Sequence, residues 1–235
     1  MDRVLLRKTS LVDYPGKVAA ALFFPGCDLR CPWCQNRELV LPGQRIGGLV
    51  AVDAALEHIL KRRSVLGGVV LSGGEPTARP GLKEIIGRIK ALGLPVKLDT
   101  NGMNPGVLES LFCREETRPD YIALDLKLPP ERYGELAPQN MPGEAGAALK
   151  ESAAALRFSG INHEFRTLAL PGSCLAPEEI SAMAVLVDGA PWYFRTFRPG
   201  NCLNPVWDSL AAPGPEAAAA LARKARESGK RGIEL

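Results

Sequence analysis

The chain has 235 residues, a formal net charge of +3, 46% apolar residues and 23% charged residues. That length suits one large domain or two small ones and needs no disulfide or metal to fold, and the composition excludes a disordered chain. The small charge speaks against nucleic acid as a partner, no apolar run approaches the roughly 20 residues of a membrane span, and the start MDRVLLRKTS is not a signal peptide, so the expected location is the cytoplasm, away from membranes.

Val18 to Phe24 is an apolar run ended by Pro25-Gly26 and reads as a first strand. Val52 to Arg63 has helical spacing, with Ala55, Leu56, Ile59 and Leu60 on one face. Gly68 to Leu71 reads as a buried strand, and Leu82 to Leu92 as a helix with an Ile85, Ile86, Ile89 stripe that stops at Gly93. Val96 to Asp99 is a strand, and Pro105 opens a helix at a position where a missing N–H does no harm. Tyr121 to Leu126 (strand), Glu144 to Phe158 (helix) and Asn162 to Leu168 (strand) follow. Pro177 to Val187 is a helix whose first turn carries Glu178 and Glu179, as the helix dipole favours. Trp192 to Phe197 is a last strand, and Pro215 to Ser228 an Ala-rich terminal helix.

Six strands alternating with helices predict parallel pairing through right-handed crossovers. A complete eight-fold barrel takes about 250 residues, so six units leave a partial barrel or an open doubly wound sheet. No repeat or linker divides the chain, so a single domain over 1–235 is expected, with its core at about 18–200 and the terminal helix at 215–228.

Six cysteines are present, and Cys27, Cys31 and Cys34 crowd into one short loop, Cys-Asp-Leu-Arg-Cys-Pro-Trp-Cys. Clustered thiolates select zinc or iron–sulfur. A structural zinc site wants four ligands, and His58 and His163 have no ligand partner at zinc spacing. Three cysteines therefore point to a [4Fe–4S] cluster with one iron open to a non-protein ligand. A zinc loop completed by Cys113, Cys174 or Cys202 is the competing reading, and would make the chain a non-enzymatic zinc-binding interaction protein.

The loop resembles the C-x3-C-x-aromatic-C signature of the radical S-adenosylmethionine (SAM) superfamily. Ser72-Gly73-Gly74-Glu75-Pro76-Thr77, Asp99-Thr100-Asn101-Gly102, Ala123-Leu124-Asp125-Leu126-Lys127 and Phe197-Arg198-Pro199-Gly200-Asn201 follow in the order of one subfamily, the activating proteins of anaerobic ribonucleoside-triphosphate reductases. The resemblance covers about residues 8 to 205 and implies a partial (β/α)6 barrel. It implies that Cys27, Cys31 and Cys34 hold the cluster and that Trp33 packs on the adenine of SAM. Gly73, Gly74 and Glu75 would meet the methionine amino group. Asp99, Thr100 and Asp125 would lie beside the methionine carboxylate around a monovalent cation. Lys127 would meet that carboxylate, with Arg166 near it or the nucleoside. Asp125 and Lys127 lie two apart on a strand and share a face, whereas Leu124 and Leu126 point the other way. Glu164 shares a face with Arg166 and could pair with it.

Two positions depart from the family. Gln35 stands where relatives carry His, and Arg198 ends the sixth strand near a position where formate-lyase activating cousins carry a SAM-contacting His. Arg198 is therefore carried over as a SAM contact with a changed side chain. The implied activity is reductive cleavage of SAM to methionine and a 5′-deoxyadenosyl radical. The radical would take hydrogen from a glycine of a partner glycyl-radical enzyme, an anaerobic ribonucleotide reductase. A low-potential donor such as flavodoxin or ferredoxin would supply the electron. A small molecule or peptide as the hydrogen donor is the alternative. The segment Pro129 to Gly143, rich in Pro and charge, reads as a rim loop that a partner could touch.

Overall fold

A computed structural model describes residues 3–41, 46–138, 144–173, 175–228 and 233–234. The chain forms two compact units, one of Met1–Asp28, Glu38–Thr100 and Gly106–Ile122, the other of Leu29–Arg37, Asn101–Pro105 and Ala123–Leu235.

The first unit holds β1 (Arg3–Ser10), β2 (Ala19–Phe24), β3 (Leu49–Ala51), β4 (Gly68–Gly73) and β5 (Val96–Thr100), in the order β3-β1-β2-β4-β5. Its helices are α1 (Arg37–Val40), α2 (Val52–Arg62), α3 (Leu82–Ala91) and α4 (Pro105–Phe112). β2, β4 and β5 run parallel, while β1 is antiparallel to both β2 and β3. Parallel strands covered on both faces read as continuous apolar runs. Accordingly Ala19 to Leu22 and Val69 to Leu71 are fully buried, and Ile85, Ile86 and Ile89 of α3 are buried with them. Tyr14 lies over the start of β4, where a side chain at Gly68 would meet its ring at 2.9 Å.

The second unit holds β6 (Tyr121–Asp125), β7 (Asn162–Ala169), β8 (Trp192–Thr196) and β9 (Ile233–Glu234), in that order. Its helices are α5 (Ala145–Ser159), α6 (Pro177–Val187) and α7 (Pro215–Glu227), and β7, β8 and β9 pair in parallel. Trp192 is fully buried, and its indole N–H donates to Thr167 Oγ1 at 2.9 Å, so the large ring leaves no polar atom unpaired. The alanines of α7 are its packing face: Ala218, Ala222 and Ala225 are buried.

The six expected strands are β2, β4, β5, β6, β7 and β8, each followed by a helix. Three strands were not expected. β1 and β3 form an antiparallel edge on β2, and β9 adds to β8. Two expectations are corrected. Leu60 does not join the buried stripe of α2 and is 40% exposed. The segment read as a rim loop contains a 3-10 turn, Pro130–Glu135, whose Pro130 and Tyr133 are buried; residues 139–143 of it lie outside the described residues.

Candidate active site

In the first unit the backbone around Cys27 is laid against the end of β4. Gly74 N–H donates to the Phe24 carbonyl and Glu75 N–H to the Gly26 carbonyl, both at 2.8 Å, while Gly26 N–H donates to Leu39 at 2.6 Å. The approach is so close that only glycine fits. A Cβ on Gly74 would lie 1.9 Å from the Gly26 oxygen, and one on Gly73, at φ +121°, 2.2 Å from the Phe24 nitrogen. These glycines thus seat the cysteine loop itself, where the sequence pointed to close approach of a ligand or to a tight turn before a helix cap. The Cys27 thiol, partly exposed, lies 3.9 Å from Asp28 Oδ1.

Glu75 is buried at 1% exposure, and its Oε1 accepts from Thr77 N–H at 3.0 Å, Thr77 Oγ1 at 2.5 Å and Thr100 Oγ1 at 2.9 Å. Donors to a buried carboxylate offset its desolvation and fix its direction. Thr100 therefore meets Glu75, and Glu75 also caps the 3-10 turn that follows it. Asp99 is partly exposed and pairs with Lys97, which is buried at 2% exposure. Lys97 escaped the sequence reading, although a lysine two residues before an aspartate on one strand shares its face.

In the second unit the rest of the cysteine loop is clasped by the segment after β8. Leu203 N–H donates to the Cys34 carbonyl at 2.8 Å and Asn204 N–H to the Pro32 carbonyl at 2.9 Å. Gln35 Nε2 donates to the Arg198 carbonyl at 2.5 Å, so the glutamine that departs from the family pattern ties the loop to the end of the sixth parallel strand. The Arg198 side chain is exposed. Trp33 is 7% exposed, with its ring 5.2 Å from that of Trp207, which stands edge-on to Phe197 at 5.7 Å. Cys202 is buried beneath this clasp, and burial raises its thiol pKa, reinforced by Asp208; Cys113 is exposed.

Asp125 ends β6 and collects two cations. Lys127 Nζ lies 3.1 Å from Oδ2 and Arg166 Nε 2.8 Å from Oδ1. Burial raises the Asp125 carboxyl, but Arg166 and then Lys127 outweigh it and hold the group well below the usual carboxylate range. Burial likewise lowers Lys127, but Asp125 and then Cys31 keep it charged. Burial pushes the Cys31 thiol up to about 11, and the neighbouring Lys127 works against that rise. The resemblance placed Arg166 near SAM, and the structure joins it directly to Asp125.

Among the described residues no three Cys, His, Asp or Glu side chains are grouped as ready metal ligands. The donor set nevertheless fits a sulfur-ligated cluster in its chemistry. It offers soft thiols, on a loop whose backbone is pinned at Gly26, Pro32 and Cys34.

Residues 22–182 match the Radical SAM superfamily. The chain belongs to the radical SAM superfamily. Members bind a [4Fe–4S] cluster and S-adenosylmethionine, and those are the cofactors of this enzyme. It is 30% identical over 212 residues to a Methanocaldococcus jannaschii protein named for activating a glycyl-radical enzyme, covering 87% of this chain and 83% of that protein. It is also 30% identical to the pyruvate formate-lyase-activating enzyme of Clostridium pasteurianum, over 52% of this chain and half of that enzyme. Among solved structures, a radical SAM methyltransferase from Sphaerobacter thermophilus superposes with a TM-score of 0.66 at 16% identity, over 94% of this chain and 67% of that one. That likeness shows the fold, the partial (β/α)6 type expected from the six βα units. Among the described residues no helix is long and apolar enough to cross a membrane.

Proposed function

We propose that this radical SAM enzyme generates a glycyl radical on a partner enzyme, and that the partner is an anaerobic ribonucleotide reductase. The observation that carries the activating role is the near end-to-end similarity to a protein named for it, covering 83% of that protein. Cys27, Cys31 and Cys34 would hold the cluster. When bound and reduced, the cluster and SAM supply the 5′-deoxyadenosyl radical that takes hydrogen from a glycine Cα. The chain's own part is to hold and orient. Lys127 and Arg166, gathered by Asp125, offer charge-assisted hydrogen bonds to the methionine carboxylate. Glu75, fixed by Thr77 and Thr100, accepts from the methionine ammonium beside the Gly73-Gly74 backbone. Trp33, backed by Trp207, borders the adenine, and the exposed Arg198 side chain is a further contact for SAM. A flavodoxin or ferredoxin supplies the electron in a cytoplasmic setting.

The test is anaerobic incubation of the reconstituted enzyme with SAM, a reductant and candidate reductases carrying deuterium at the glycine Cα. A glycyl doublet in the EPR spectrum, with deuterium in the 5′-deoxyadenosine formed, is expected. SAM cleavage with label arriving only from a small molecule or peptide would overturn the activating role. Replacing Cys27, Cys31 or Cys34 with Ala is expected to remove the cluster, whereas Cys113→Ala, at an exposed position, should leave iron and sulfide content unchanged.

A further inference from the structure

The 3-10 turn Pro130–Glu135 carries Tyr133 at 0% exposure. Its hydroxyl lies 2.8 Å from the Asp125 carbonyl and 3.1 Å from the Asn101 carbonyl, so one proton is shared between two backbone acceptors just where β6 ends and just past β5. The next residue is held from the other side. Leu126 N–H donates to the Arg166 carbonyl at 2.8 Å, and the Leu126 carbonyl accepts from Thr167 Oγ1 at 2.7 Å. The peptide joining Asp125 to Leu126 is therefore fixed at its oxygen by Tyr133 and at its nitrogen by β7. The side chains leaving on either side of it are the Asp125 carboxylate and, one residue on, Lys127.

The turn is itself braced. A Cβ on Gly146, in the first turn of α5, would lie 2.2 Å from the Pro130 oxygen, so helix and turn are in backbone contact. Leu136 N–H donates to the Tyr133 carbonyl at 3.0 Å, and the Leu136 carbonyl accepts from Arg30 N–H, inside the cysteine loop, at 2.7 Å. Tyr133 thus stands on a short hydrogen-bonded path between Arg30 of the cysteine loop and the Asp125–Lys127–Arg166 set. Burial pushes its phenol well above the ordinary range, so the hydroxyl keeps its proton and remains a donor.

We propose that Tyr133 is a positioning residue for SAM binding: its hydroxyl, rather than its ring, orients the Asp125 peptide so that Lys127 and Arg166 meet the methionine carboxylate. The proposal rests on the reading that this ion set faces SAM. Tyr133→Phe keeps the ring and removes the donor. In the reconstituted enzyme it should leave iron and sulfide content unchanged and raise KM for SAM by about tenfold, the effect of one lost buried hydrogen bond, with kcat for SAM cleavage kept at saturation. Gly146→Ala, which presses on the turn from α5 without touching the hydroxyl, should raise the same KM. In a Lys127→Ala background Tyr133→Phe should add little, because both act through one set. A wild-type KM in Tyr133→Phe, or a full additional loss in the Lys127→Ala background, overturns the proposal. If Lys127→Ala alone binds SAM as wild type does, the site reading falls and the proposal with it. SAM cleavage without a glycyl radical would instead sink only the activating role and leave the Tyr133 comparison intact.

Discussion

β5 and β6 carry the same two residue types in opposite order, Lys97-Leu98-Asp99 and Asp125-Leu126-Lys127, yet the two sets are built for different ends. Lys97 is 2% exposed and Asp99 15%, so a buried ammonium is answered by a carboxylate that is only partly open to solvent. Lys127 is 22% exposed, Asp125 31% and Arg166 18%, and here two cations converge on one carboxylate. A buried ion pair is a poor net stabiliser, because desolvation offsets most of the attraction, but losing one member strands a charge. An open set with two cations on one anion leaves a surface where a second carboxylate is welcome. The contrast is between a buried lysine with one carboxylate and a more exposed carboxylate with two cations.

The largest effect expected from breaking this contrast is at Asp99. Asp99→Ala leaves the Lys97 ammonium buried, which costs about 3–5 kcal/mol. Urea denaturation of the enzyme should show it as a lower midpoint. Replacing both, Lys97→Met with Asp99→Leu, should restore most of the stability, since an apolar pair of similar volume is close to neutral. SAM titration of that double variant then tells whether Asp99 also serves the ligand. An Asp99→Ala protein as stable as wild type would mean that the loss of Asp99 does not strand the Lys97 ammonium.

Next in size is Lys127→Ala. Removing a charge-assisted hydrogen bond to the SAM carboxylate should cost about 1.5–3 kcal/mol of binding. Affinity should fall by about one to two decades in anaerobic titration. Stability should change by less than about 1 kcal/mol, since this set is partly solvated. The opposite ranking, with stability lost and SAM affinity kept, would make the two strand-end sets alike and both structural.

The parallel core was legible because its signals are periodic. The apolar runs of β2 and β4 and the Ile85, Ile86, Ile89 stripe of α3 occupy the spans read from the sequence, within a residue or two. β1 escaped because Arg7 and Lys8 interrupt its alternation, and because a strand that pairs antiparallel with both neighbours follows no β–α rhythm. In the candidate site, motif residues could be named, but their partners could not. Gly74 reads as a ligand cradle until the Gly26 carbonyl is seen against it. Trp207 and Tyr133 sit in segments with no periodicity, where only the three-dimensional path of the chain brings one to Trp33 and the other to the Asp125 carbonyl. Lys97 was within reach, because the period-two argument that joined Asp125 to Lys127 applies equally to it.

The smallest effect concerns how the open set shares its carboxylate. Arg166→Met removes one of the two cations, and at neutral pH should cost on the order of 1 kcal/mol of stability, as for a partly solvated pair. The pH dependence carries the sign. Asp125 has a folded pKa held below its unfolded value of about 3.9. Its contribution is therefore complete above the unfolded value and is lost as pH falls through the folded one. With Arg166 gone the folded pKa rises toward the unfolded value, since Lys127 alone remains to oppose burial. The stability gap between wild type and Arg166→Met should stay level from pH 7 down to about 4, then close in stronger acid as Asp125 is protonated first in the variant and last in the wild type. The other carboxylates titrate in both proteins and largely cancel in the difference. Urea denaturation across that range checks it. A gap that closes already between about pH 7 and 5 would mean that Arg166 answers some other group, and that Lys127 is the cation that holds Asp125.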